Sequence, residues 1–275
     1  ILHNENIPLA SELLNYCKKN NINNILFFTE HPDHLVLPIK SNNLWVWSHQ
    51  ILDELKKIDH KLPESKVVGH PESEILLIDK KNTNIKNKFK YLFNDKKIFL
   101  FISENTSMQS WVSKEEVNEC LRIITNIAKI KTDWIFLIKK RKYNENLELI
   151  ENLDNVFLVH DDGKITSDKE INASLSELLS YGIDCSGAIT SLGLITTSML
   201  NIPSFKFTLS QNHYEYEFLN HLCKNISCEA DLINLLNPES IMKLNNELKI
   251  KLQKYYNYQS CTEKMSNLIL EKITN

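Results

Sequence analysis

Apolar residues in this chain fall in short, sharply bounded runs, and the stretches between them repeat apolar positions at helical spacing. Over residues 8–19, Pro8 stands at a first-turn position and Leu9, Leu13, Leu14 and Cys17 follow the helical period, which predicts a helix. The compact runs at 25–28 and 44–47 predict buried strands, with an amphipathic helix over 49–58 and a short strand over 66–69 after them. A Lys- and Asn-rich stretch, 79–90, breaks the pattern and reads as a linker or boundary helix.

A second series follows. Strands are predicted over 98–102, 135–139 and 156–159. Ser113 with Glu116 and Ser174 with Glu177 have the spacing of capping boxes that open helices. Residues 179–205 are the densest part of the pattern: a strand over 183–187, a hydroxyl-bearing turn over 187–193, a helix over 194–200 halted by Asn201 and Pro203, and a strand over 202–207. A last short strand is predicted over 226–228, a helix over 231–236, and a helical pair over 238–273 without a sustained heptad. Such alternation of strand and helix implies α/β units built on parallel, doubly wound sheets with helices on both faces. The expected division is a partial N-terminal Rossmann-like domain over 1–78, a second Rossmann-like domain over 79–237, and a C-terminal helical segment over 238–275 that packs back across the domains. The chain opens on the apolar Ile1-Leu2 without an initiating methionine, so the N-terminal domain is expected to be incomplete.

Composition narrows the function classes. With 42% hydrophobic residues the 275-residue chain can bury a core, and a formal charge of −3 leaves no basic footprint for nucleic acid. No apolar run approaches a membrane span and no signal peptide is present, so the expected location is cytoplasmic, compatible with peripheral membrane association. The six cysteines are scattered without zinc or redox spacing and read as buried thiols; no metal is expected.

In a doubly wound sheet a ligand lies beyond the carboxyl ends of the strands, where loops and helix starts offer donors to an anion. Four such loops carry the candidate binding residues: Ser103, Asn105 and Thr106; Lys139 and Arg141; Asp161; and Gly187, Thr190 and Ser191. Each has a structural alternative. Ser191 and Thr190 would serve equally as helix caps, Lys139 to Lys142 as a solvated charge run, and Asp161-Asp162-Gly163 as a turn bonded to itself.

Two stretches resemble the GT-B glycosyltransferases and surface-polysaccharide (capsular) biosynthesis proteins, and the likeness spans most of the chain. In residues 45–72 the matching positions are Trp47, Ser48, Lys66, Val67, Val68, Gly69 and Pro71. In the later stretch they are Asp184, Gly187, Thr190, Ser191, Thr196 and Asn201-Ile202-Pro203. The resemblance implies two Rossmann-like domains with a nucleotide-sugar in the cleft between them. It also implies metal-independent transfer of the sugar to a glycan or lipid-linked acceptor, with no cofactor beyond the donor. On this pattern Glu30 and His31 are candidates for the catalytic base and His70 lies at the interdomain crossing. Thr196 occupies the helix position where the family often has the Glu that holds the donor ribose, and Asn201 the position usually Gly. A threonine cannot grip a diol as a carboxylate does. The acidic-acidic-Gly and His-Pro strings also occur in bacterial sialyltransferases, but in the opposite order along the chain. Two alternatives stay open: a non-hydrolysing sugar-nucleotide epimerase, and a catalytically degenerate nucleotide-sugar-binding or scaffold protein of the same fold.

Overall fold

The computed structural model describes residues 8–28, 38–79, 93, 96–104, 106, 112–140, 151–161, 167–209, 217–255 and 260–274. The chain divides into two compact units, Ile1–Glu74 with Ile250–Asn275, and Ile75–Lys249. The C-terminal helical segment is thus shared between them.

In the first unit, α1 (Pro8–Lys19), β1 (Ile25–Phe28), β2 (Asn43–Val46), α2 (His49–Ile58) and β3 (Glu64–Val67) follow in order. The strands form a parallel sheet β1-β2-β3 with Phe27 opposite Trp45 and Trp45 opposite Lys66. All four residues of β2 are buried, as expected for the middle strand of a parallel sheet covered on both faces. Ser48 caps α2 by accepting the Ile51 N–H at 3.1 Å, which explains why a serine follows Trp47.

Two further helices complete this unit: α3 (Pro71–Asp79), which begins within it, and α10 (Cys261–Thr274). Met265, Leu268 and Ile269 of α10 pack on Phe27, Trp45 and Val68. The Glu74 carboxylate fixes the start of α10, accepting from Thr262 N at 2.8 Å, Thr262 Oγ1 at 2.6 Å and Cys261 Sγ at 2.9 Å. Burial pushes the Glu74 carboxyl upward, but these hydrogen bonds and one from the Ser260 backbone together hold it below its ordinary value.

The second unit carries β4 (Lys97–Ile102), α4 (Lys114–Ile130), β5 (Trp134–Lys139), β6 (Val156–His160), β7 (Glu170–Asn172), α5 (Leu175–Tyr181) and β8 (Cys185–Ala188). After these come α6 (Gly193–Met199), β9 (Ser204–Phe207), α7 (Glu217–Leu222), β10 (Lys224–Ile226), α8 (Glu229–Leu235) and the first part of α9 (Pro238–Tyr255). Its seven strands are all parallel in the order β10-β9-β8-β4-β5-β6-β7. The chain therefore runs outward from β4 to β7, returns, and runs outward the other way from β8 to β10. Beside β4 and β8 lies the topological switch. Both predicted capping boxes form: Ser113 with Glu116 opens α4 and Ser174 with Glu177 opens α5.

One face of this sheet presents Phe99, Phe101, Phe136, Phe205 and Phe207 to a core shared with Val117, Leu121 and Ile124 of α4 and with Leu232 of α8. Gly187 lies in that layer. A Cβ on it would meet Phe99 Cζ at 2.8 Å and Phe207 Cε2 at 2.9 Å, so the rings fill the space a side chain would take. The opposite face, under α6, holds a hydroxyl cluster: Ser186 Oγ, Thr197 Oγ1 and Ser204 Oγ lie 2.8–3.0 Å from one another. No helix among the described residues is long and apolar enough to cross a membrane.

The elements differ from expectation mainly where the signal is short. The strand β7 has three residues and no legible pattern, and α3 reads in sequence as an unperiodic apolar run, ILLI, after a turn. Its start is built by a histidine instead of one of the usual capping residues.

Candidate functional site

The switch point is where an open α/β sheet leaves a crevice, and the sequence sends polar residues there. At the end of β4, Ser103 is buried and its N–H donates to the Lys139 carbonyl at 3.0 Å, which sets the β4 and β5 loops side by side. Glu104 follows, 6% exposed, and its Oε1 accepts the Thr190 N–H at 3.0 Å. A buried carboxylate thus staples the β4 loop to the β8 loop across the switch. Thr106 is partly buried.

Beyond β8, the turn closes on itself. Ser191 is buried and its Oγ accepts the Gly193 N–H at 3.2 Å, while its carbonyl takes the Leu194 N–H at 3.0 Å and the Leu192 carbonyl takes the Ile195 N–H at 2.9 Å. These N–H groups at the start of α6 are satisfied internally, the role that the capping alternative gives Ser191. Thr196 is buried on α6, one residue before the Thr197 of the hydroxyl cluster. Asn201 ends the helix with φ +58°, a left-handed conformation that glycine adopts freely and asparagine tolerates better than other residues. The departure from glycine at this position therefore leaves the local backbone intact.

At the end of β5, Lys139 is drawn almost wholly inside: its side chain is 5% exposed, and Nζ lies 2.8 Å from Asp161 Oδ1, whose side chain is 48% exposed. The contact is an ion pair, and Lys139 Nζ makes no hydrogen bond among the described residues. Asp161 directly follows β6. Next to it, His160 Nε2 stands 3.8 Å from Glu170 Oε1 of β7. An ammonium taken out of water with one half-solvated partner is costly to keep, so its position at the carboxyl edge of the sheet is chemically pointed.

The structure thus joins Ser103 with Lys139 and Lys139 with Asp161. Gly187 lies within β8, in the aromatic layer. Asn105 and Arg141 lie outside the described residues, as do Glu30 and His31. The other arginine, Arg122, pairs with Glu119 at 2.6 Å on the exposed side of α4. Sequence alone does not distinguish Glu104, because one carboxylate in a polar loop has no characteristic spacing.

His70 belongs to the first unit, just before α3, within its compact span. Its Nδ1 accepts the Ser73 N–H at 3.2 Å and lies 2.8 Å from Ser73 Oγ, so the ring caps α3 and carries its proton on Nε2. The ring meets Trp47 edge to face at 5.9 Å. Burial lowers its pKa to about 4. Among the described residues no three His, Cys, Asp or Glu side chains converge as metal ligands.

No family model and no curated sequence matches this chain. Its fold has clear counterparts. The wall teichoic acid polymerase TagF aligns with TM-score 0.56 at 15% identity over 86% of this chain and 59% of its own. The S. aureus MnaA–UDP co-structure aligns with TM-score 0.68 at 11% identity over 95% and 72%. The UDP-GlcNAc 2-epimerase from Neisseria meningitidis bound to UDP-GlcNAc gives 0.65 at 14% over 94% and 72%. The chain therefore spans about three-fifths of the polymerase it resembles, and what it shares with all three is the GT-B-type fold of two Rossmann-like α/β units.

Proposed function

We propose that this chain binds a nucleotide-sugar at the carboxyl edge of the seven-stranded sheet and transfers the sugar to a hydroxyl of a surface glycan or lipid-linked acceptor. The observation that carries this reading is Lys139, a buried ammonium one strand from the topological switch, held beside Ser103 and paired, among the described residues, with a half-exposed carboxylate. In such a transfer the acceptor oxygen attacks the anomeric carbon and gives its proton to a base. The nucleoside diphosphate leaves with the electrons of the broken C–O bond. Charge grows on the leaving diphosphate, and an ammonium already stripped of water stabilises it strongly without reorganising. Lys139 supplies that cation without a metal, and Glu30 and His31 are the candidates for the base.

A second reading, donor epimerisation without an acceptor, is supported by the likeness of fold to the UDP-GlcNAc 2-epimerase from Neisseria meningitidis, at TM-score 0.65. It needs acid and base groups close to the sugar. The carboxylates on the described switch loops, Glu104 and Asp161, are already engaged by Thr190 N–H and Lys139.

The test is a thermal-shift screen of UDP-, GDP- and CMP-sugars, followed by assay of released nucleotide with and without an acceptor panel. Acceptor-dependent release is the expected outcome. Interconversion of the donor alone would establish the second reading, and binding without either reaction would leave a scaffold. If no nucleotide-sugar binds, the reading is refuted.

A further inference from the structure

Two of the protein's own anions lie at the carboxyl edge of the sheet at and beside the switch. Glu104 takes the Thr190 N–H and Asp161 sits on Lys139, but the two carboxylates differ in one respect that matters. Glu104 is 6% exposed, whereas the Asp161 side chain is 48% exposed and stands just past the end of β6. The backbone of Lys139 is fixed, as the last residue of a strand paired on both sides, with Ile102 and with Val159, and its side chain is buried. Asp161 is thus the partner with water to move into when the contact is exchanged.

We propose that Asp161 is an internal stand-in for a ligand phosphate, covering the Lys139 ammonium in the free protein and yielding it to the diphosphate of the nucleotide when that binds. This rests on the reading that the second unit takes a nucleoside diphosphate, and it reverses the sign expected of a residue that contacts the ligand. A buried ammonium must keep an anion near it, because losing one partner of such a pair leaves an uncompensated charge. A diphosphate brings more negative charge than one carboxylate and displaces Asp161 into water, where that side chain is already half placed. An uncharged nucleoside has nothing to offer Lys139 and leaves the pair intact, so the pair also discriminates by charge.

The experiment is isothermal titration of the full chain and of Asp161→Asn, Asp161→Ser and Lys139→Met with UDP, GDP and CDP and with the matching uncharged nucleosides, with melting curves of each variant. Both Asp161 variants are expected to bind the preferred diphosphate about three- to tenfold more tightly than wild type, because a half-exposed pair is worth little more than that. Nucleoside affinity should be unchanged, the ligand-free Asp161 variants should melt earlier, and Lys139→Met should lose the diphosphate preference. Wild-type binding of a diphosphate with equal or weaker binding by both Asp161 variants would overturn the stand-in role alone. Failure of wild type to bind any diphosphate would overturn the nucleotide reading and this inference with it.

Discussion

Gly187 stands at the point where a functional and a packing explanation make opposite predictions, and Gly187→Ala separates them. The residue lies inside β8 with an ordinary strand backbone, so alanine meets no conformational barrier there, and reduced freedom of the unfolded chain alone would stabilise it by about 0.5–1 kcal/mol. Against that stands the new methyl group, 2.8 Å from Phe99 Cζ and 2.9 Å from Phe207 Cε2. Both rings are wholly buried, and Phe99 is further held by Phe205, stacked at 6.4 Å, and by Phe136 at 5.8 Å. Ring edges so confined cannot swing away as the end of a surface side chain would, and overpacking of this kind costs about 1–3 kcal/mol. With both rings confined the cost sits toward the upper end of that range, leaving a net destabilisation of up to about 2.5 kcal/mol, or up to about 5–10 °C in Tm for a unit of this size. Differential scanning calorimetry measures the shift, and nucleotide titration well below the transition should give near wild-type affinity. A variant that melts with wild type yet loses ligand would show that the absent Cβ serves the ligand's approach, and the packing account would be wrong.

His70 gives a pH prediction in the first unit. Its pKa is lowered from 6.5 to about 4 by burial, so the unfolded chain takes up the proton first. The associated stability, about 3 kcal/mol, is complete above pH 6.5 and is lost as the pH falls toward 4. His70→Asn keeps a capping acceptor for Ser73 N–H and removes the titration, so urea melts of the variant should lose that part of the acid slope; an unchanged slope refutes the assignment. Thiol chemistry gives a simpler one: Cys228 is the exposed cysteine and the other five are buried, with burial pushing Cys120 and Cys185 well up and burial plus the Glu74 hydrogen bond pushing Cys261 to about 12. Ellman's reagent should label one thiol rapidly in the native protein and the rest only on unfolding, and a second fast thiol would contradict the packing described.

Much of the architecture was legible because it is written in local periodicity. The bounds of α1, β1 and α2 follow from apolar spacing and a first-turn proline, and the capping boxes at Ser113 and Ser174 are four-residue signals that need no partner elsewhere. The strand-end loops were legible for the same reason, since strand and helix limits locate them. Their internal chemistry was not. Ser191 reads equally as ligand donor and as cap until the Gly193 N–H is found on its hydroxyl, and Lys139 reads as part of a solvated charge run until it is seen to be buried.

What stayed hidden has a common physical cause. The strand order sets β8 beside β4, so the two halves of the switch meet only after three strands have been laid down on the other side. Two carboxylates secure that junction at its opposite ends: Asp184 Oδ2 accepts the Ile98 N–H at 2.8 Å at the amino end, and Glu104 accepts the Thr190 N–H at the carboxyl end, each across 86 residues. No periodicity reaches across such a separation, and either residue taken alone is an acidic side chain next to a strand. The same pairing explains why Thr196 is a poor guide to activity in isolation. The carboxylate absent from α6 is a property of one helix, whereas the charge available at the switch is set by residues that β4, β5 and β6 bring there. On the proposed function, threonine at position 196 bears on affinity for the ribose and leaves any Lys139 contribution to the diphosphate in place, so acceptor-dependent release of nucleotide, and not the helix sequence, is the quantity that separates a transferase from a scaffold that only binds its donor.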